Sequence, residues 1–190
     1  DNNDYEDEKN EDEKNEDEKN EDEDDEDEDD EDEDGVDQAS RPAPRTDCSL
    51  DFCVSLTDDY LLAYSVNGDS TITMELTYDG NAWVGVAFSE NGNMVGSDAV
   101  IGSPDVGTPQ KYRLKALVVD TDAAIQLMPT EEQTLTDATV EFKDGQTVMK
   151  FTKIMKEPNQ IEINMGSNNM LWAYGYSPTI GIHVNKMGFV

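Results

Sequence analysis

The chain has 190 residues, a formal net charge of −32 and a mean hydropathy of −0.74. Such acidity argues against the basic patches that hold nucleic acid or anionic membranes, and leaves cations, basic proteins or basic surfaces as electrostatic partners. No apolar run approaches the roughly 18 residues that span a bilayer.

The charge is unevenly spread. Residues 1–37 hold 26 acidic side chains against Lys9, Lys14 and Lys19, for −23, and the remainder carries −9. Between Asp1 and Asp34 the one apolar side chain is Tyr5, so nothing there offsets the entropy of ordering and disorder is expected. The motif Glu-Asp-Glu-Lys-Asn at 6–10, 11–15 and 16–20 is low complexity without an apolar position. It reads as a solubilising spacer or as a diffuse binder of cations and basic proteins. Pro42 and Pro44 mark an extended linker after it. Residues 1–46 are thus expected as tail and linker, and 47–190, about 145 residues, as one globular domain.

The chain opens at Asp1 without a methionine or a signal sequence, which reads as a processed secreted protein or as a fragment of a membrane-attached one. Cys48 and Cys53 are either a disulfide formed in an oxidising compartment or two free thiols. With a single histidine they are too few for a structural zinc site. An extracellular or cell-surface location is the expectation.

From Cys48 onward the apolar residues alternate, as in half-buried strands. Leu50, Phe52, Val54 and Leu56 come first, then Leu62, Tyr64 and Val66, then Ile72, Met74, Leu76 and Tyr78. Trp83 to Phe88 is a short apolar run suited to a strand covered on both faces. Further strands are predicted at 112–119, 139–142, 148–154 and 170–176. Turn signals separate them, and Asp144-Gly145 predicts a tight hairpin because both positions tolerate positive φ. No long segment shows helical periodicity between caps. The pattern predicts an all-β antiparallel sandwich or barrel.

Catalysis finds little support. A nucleophile system would have to use His183, the sole histidine, and neither a Gly-x-Ser-x-Gly elbow nor a phosphate-cradling loop is present. No residue is assigned a catalytic role, and the domain reads as an electron-transfer or binding module that serves other enzymes. Two features remain. In Asn91-Gly92-Asn93-Met94-Val95-Gly96-Ser97-Asp98 a thioether sits among glycine and polar residues directly after a buried strand. Met94 is either a soft donor to a ligand or a plug for the end of the core. In Trp172-Ala173-Tyr174-Gly175-Tyr176 and Thr179 to His183, the imidazole follows two glycines, Gly175 and Gly181. His183 is either a ligand or a core histidine with its hydrogen bonds satisfied.

Taken together, Trp83-Val84-Gly85-Val86-Ala87-Phe88-Ser89, Met94 to Gly102, Leu171 to Gly175 and His183 resemble the DOMON family. The resemblance covers roughly residues 48–190, and it is similar to the cytochrome domain of fungal cellobiose dehydrogenase and to plant extracellular b-type cytochromes. It implies an immunoglobulin-like β-sandwich holding one non-covalent haem b between a loop methionine and a histidine near the domain's end. Met94 and His183 stand at those two positions and are the implied iron ligands. The aromatic residue usual before the histidine is Ile182 here, and the acidic tail is foreign to the family. Trp83, Trp172 and Tyr174 are candidates for lining the haem pocket, and equally for filling the sandwich.

No Cys-x-x-Cys-His occurs, which excludes c-type attachment. With both axial positions filled by protein, electron transfer is favoured over oxygen or peroxide chemistry. A membrane b-type cytochrome, a flavin domain, ascorbate or a redox protein would be the partner. The alternative is a non-redox ligand-binding sandwich, for instance for carbohydrate, with Met94 and His183 in its core. A third reading, copper held by methionine and histidine, has too few ligands for a blue-copper site.

Overall fold

A computed structural model of the chain describes residues 48–68, 70–115, 124–181 and 183–184, the last by its backbone alone. The chain divides into two units, Asp1–Arg41 and Pro42–Val190, and every described residue belongs to the second. The tail and linker expected at 1–46, and the end of the strand predicted at 112–119, lie outside the described residues.

In chain order the strands are β1 (Phe52–Thr57), β2 (Tyr60–Asn67), β3 (Thr71–Tyr78), β4 (Val84–Ser89), β5 (Asp98–Gly102) and β6 (Gln110–Leu114). There follow β7 (Ile125–Leu127), a 3-10 turn at Thr130–Glu132, β8 (Thr136–Lys143), β9 (Gln146–Ile154), β10 (Asn169–Gly175) and β11 (His183–Val184). They pair antiparallel into a five-stranded sheet, β1-β2-β3-β9-β8, and a six-stranded sheet, β11-β10-β4-β5-β6-β7. The architecture is an all-β, immunoglobulin-like sandwich. Among the described residues no helix is long and apolar enough to cross a membrane.

Alternation builds the interior. Leu62, Leu76 and Met149 stand opposite one another across β2, β3 and β9, and all three are fully buried. Each such side chain contributes roughly 1.5–3 kcal/mol relative to exposure. On the other face of the same sheet Thr73 and Thr152 share a 2.9 Å hydroxyl hydrogen bond. The predicted hairpin forms between β8 and β9, where Asp144 (φ 53°) and Gly145 (φ 83°) take the positive φ that a two-residue turn requires. Cys48 and Cys53 are joined as a disulfide with Cα atoms 6.0 Å apart, which resolves the choice between a bridge and free thiols.

From the six-stranded sheet, Val84, Val86, Phe88, Val100 and Trp172 face this core. Tyr60 crosses to them, donating its phenol to the Gly85 carbonyl at 3.2 Å and meeting Trp172 and Tyr174 edge-on. Burial pushes the Tyr60 pKa well above its usual value.

A buried ion cluster also ties the sheets together. Lys111 on β6 and Lys153 on β9 both bind the carboxylate of Glu157, with Lys111 Nζ 2.9 Å from Oε1. Thr134 donates to the same carboxylate, and Gln160 accepts from both lysines. Burial alone would raise the Glu157 carboxyl, but hydrogen bonds from Lys153, Thr134 and Lys111 outweigh it and hold the pKa below the ordinary range. For Lys153 burial wins, and its pKa falls despite the attraction of Glu157.

Candidate functional site

Strands β4, β5 and β10 are covered on both faces, and the two faces differ in kind. Inward they present large side chains. Outward, the register sets Leu171 beside Ala87 beside Ala99, and Ala173 beside Gly85 beside Ile101. Four of these six outward residues are glycine or alanine, and Gly175 continues the row along β10. Small outward residues on three adjacent strands make a shallow apolar floor. Trp83, Ala87, Ala99, Ile101, Leu114 and Leu171 form a second buried cluster there, separate from the inter-sheet core. Met94, Tyr112, Ala173 and Ile180 pack against it.

Met94 reaches this face from the loop between β4 and β5. The loop is built from its own polar side chains, which explains the Asn/Gly/Ser composition that drew attention to it. Asn91 Oδ1 accepts the Asn93 amide at 2.9 Å, and the Asn93 carbonyl accepts both the Ser89 (2.9 Å) and Ser97 (2.6 Å) hydroxyls. The Gly96 amide bonds the Leu114 carbonyl at 2.8 Å. Gly92 (φ 78°) and Gly96 (φ 89°) take backbone conformations that other residues resist. The outcome is a fixed loop with Met94 half-buried against the floor and Val95, 45% exposed, turned to solvent. Asp98, at the loop's end, is buried for another reason. It accepts the Ile161 amide at 2.7 Å and so fastens the segment after β9.

His183 arrives at the same face from the far end of the strands. It pairs with Gly175, which in turn donates its amide to the Trp83 carbonyl at 2.9 Å. Cross-strand neighbours share a face, so His183, Gly175 and Trp83 form one row. The His183 side chain is exposed, which rules out a histidine sequestered in the core. Its ring stands edge-on to the Trp83 indole, with centroids 6.5 Å apart and planes at 84°. The buried Trp83 Nε1 has no hydrogen-bond partner among the described residues.

A family model for the DOMON domain matches residues 56–175. The chain belongs to the DOMON family. The matched span takes in Trp83 and Met94 and ends at Gly175, short of His183. Of the residues singled out in the sequence of this DOMON domain, Met94 and Trp83 share the apolar cluster on the outer face of the six-stranded sheet, and His183 meets Trp83 there. Trp172 and Tyr174 do not. They lie one residue out of phase along β10, face the five-stranded sheet and pack with Tyr60 in the core. Pattern reading missed the floor itself, Gly85, Ala87, Ala99 and Ala173, because small residues carry no chemical signal. Their spacing of two along β4 and β10 is the signal that could have found them.

The donor set fits a soft-tolerant metal in a macrocycle: one imidazole and one thioether, both neutral. Among the described residues, no three His, Cys, Asp or Glu side chains cluster as a metal-ion site. Met94 and Ile180 come to this face from loops and His183 from a two-residue strand.

Proposed function

We propose that this DOMON domain binds one haem b on the outer face of β4, β5 and β10, with Met94 and His183 as axial ligands, and acts in one-electron transfer. The observation that carries the reading is the floor of glycine and alanine reached from opposite strand ends by a thioether and an imidazole. Haem iron ligated in this way exchanges one electron between ferric and ferrous states. The protein's own part is to supply apolar burial and two neutral donors. It also fixes the methionine through the hydrogen-bonded loop. Donor and acceptor would be drawn from a membrane b-type cytochrome, a flavin domain, ascorbate or a redox protein. The Cys48–Cys53 disulfide supports an extracellular or cell-surface setting.

Titration of the purified domain with ferric haem, followed by absorbance, tests the proposal. The expected outcome is a stoichiometric low-spin spectrum with sharp bands on reduction. Met94→Ala and His183→Ala should each turn the spectrum high-spin or abolish uptake. A protein that stays colourless, or two variants with the parent spectrum, would sink it and leave a non-redox binding sandwich.

A further inference from the structure

Metal-bound histidines are ordinarily held by a hydrogen bond on the ring nitrogen facing away from the metal, which fixes the tautomer and the ring plane. His183 has no such bond among the described residues. Its side chain is exposed, its strand is two residues long, and its one ring contact among the described residues is with Trp83. We infer that Trp83, seated on Gly175, is the positioning residue that sets the plane of the His183 imidazole. The inference rests on the haem reading above and goes further, because it assigns a role to two residues that touch no iron.

The geometry is a stack of three parts. Gly175 is the saddle: a Cβ built there would overlap Nε1 and Cδ1 of the indole and lie 2.9 Å from its Cε2. No residue with a side chain leaves the indole where it is. The backbone hydrogen bonds of Trp83, amide to the Ser177 carbonyl at 3.0 Å and carbonyl from the Gly175 amide at 2.9 Å, fix the tryptophan to the strand end. The indole then presents itself to the imidazole edge-to-face, an arrangement that aromatic pairs favour at centroid separations of about 4.5–7 Å. A wall of this kind restricts both imidazole torsions without consuming either ring nitrogen. One nitrogen is free to bind metal and the other to meet solvent. The unpartnered indole N–H agrees with this: the ring is placed for its shape, and no described acceptor holds it.

The chain contains one histidine, so its imidazole Hε1 proton gives a single NMR signal in the haem-free protein. Trp83→Leu should move that signal by removing the indole ring current, and Gly175→Ala should move it by displacing the indole. An unmoved signal in Trp83→Leu overturns the contact, whatever the protein does with haem. In the haem-loaded protein, Trp83→Leu should weaken haem binding about tenfold and alter the low-spin electron paramagnetic resonance pattern, which reports ligand planes. Trp83→Phe should restore most of both. Because both residues act through one indole, the double variant Gly175→Ala/Trp83→Leu should bind no worse than Trp83→Leu alone. If Gly175→Ala fails to fold, the two Trp83 variants carry the test. A wild-type protein that rejects haem overturns the parent reading and this one with it. A Trp83→Leu protein with parent affinity and resonance overturns this one alone.

Discussion

Strands β4 and β10 have one interior face and one exterior face, and the two bury their surface differently. Inward, Val84, Val86, Phe88, Met170 and Trp172 interlock with the opposite sheet. Outward, Gly85, Ala87 and Ala173 are small, and Trp83 with Met94 and Ile180 from loops packs on that face. The same backbone, at a spacing of two residues, thus carries a self-sufficient core on one side and a floor made for a cover on the other. The lesson is that burial alone does not mark a structural residue: Ala87 is 5% exposed and Trp172 is 7%, yet they belong to different tasks.

Substitutions should separate the faces, beginning with the largest effect. Trp172→Ala should cost about 3–5 kcal/mol in urea unfolding of the haem-free protein, as expected for a large core cavity. A loss under about 1 kcal/mol would mean that the inward face is not the core. Next comes Glu157→Gln, which leaves the Lys111 and Lys153 ammonium groups buried without their carboxylate. A loss of about 3 kcal/mol is expected.

The same residue sets an acid dependence. Its folded pKa lies below the ordinary 4.5, so the unfolded chain binds the proton first and stability falls as pH drops through the window beneath 4.5. Glu157→Gln should flatten that limb of the unfolding midpoint against pH. A parent-like slope would remove Glu157 as its source. Lys153, with its pKa lowered by burial, contributes a slope of the same sign below the ordinary 10.5, stability rising with pH there.

On the outer face, Ala173→Leu should cost no more than about 1 kcal/mol in the haem-free protein. It should nonetheless lower haem affinity at least tenfold, because the added side chain rises from the floor. Equal affinity in the parent and the variant would move the ligand off this face. The smallest effect should come from deleting residues 1–37. The stability of the sandwich should stay within about 0.5 kcal/mol. Association with cationic surfaces should weaken, and with it the steep salt dependence of a −23 segment. Unchanged binding to such surfaces would leave the tail a spacer.

Much of this was legible before the fold. Alternating apolar residues announced β1, β2, β3, β9 and β10, and Asp144-Gly145 announced its hairpin. Strands β5 and β7 were not anticipated. Asp98–Gly102 is buried throughout and so does not alternate, while Ile125–Leu127 is too short for a period to show. Met94 and His183 stood out as odd residues in glycine-rich settings, but the contact between His183 and Trp83 did not.

What the sequence determined by itself is the all-β sandwich, the uneven charge, and the family to which the chain belongs. Local pattern suffices for these, because strand periodicity, turn chemistry and like-charge repulsion act between near neighbours. Which face each aromatic takes was decided only by tertiary structure. Trp83 and Trp172 both lie in apolar runs covered on two sides, where both faces look alike. Only pairing register, Trp172 opposite Val86 and Gly175 beside Trp83, sends one indole into the core and the other over the outer floor toward His183.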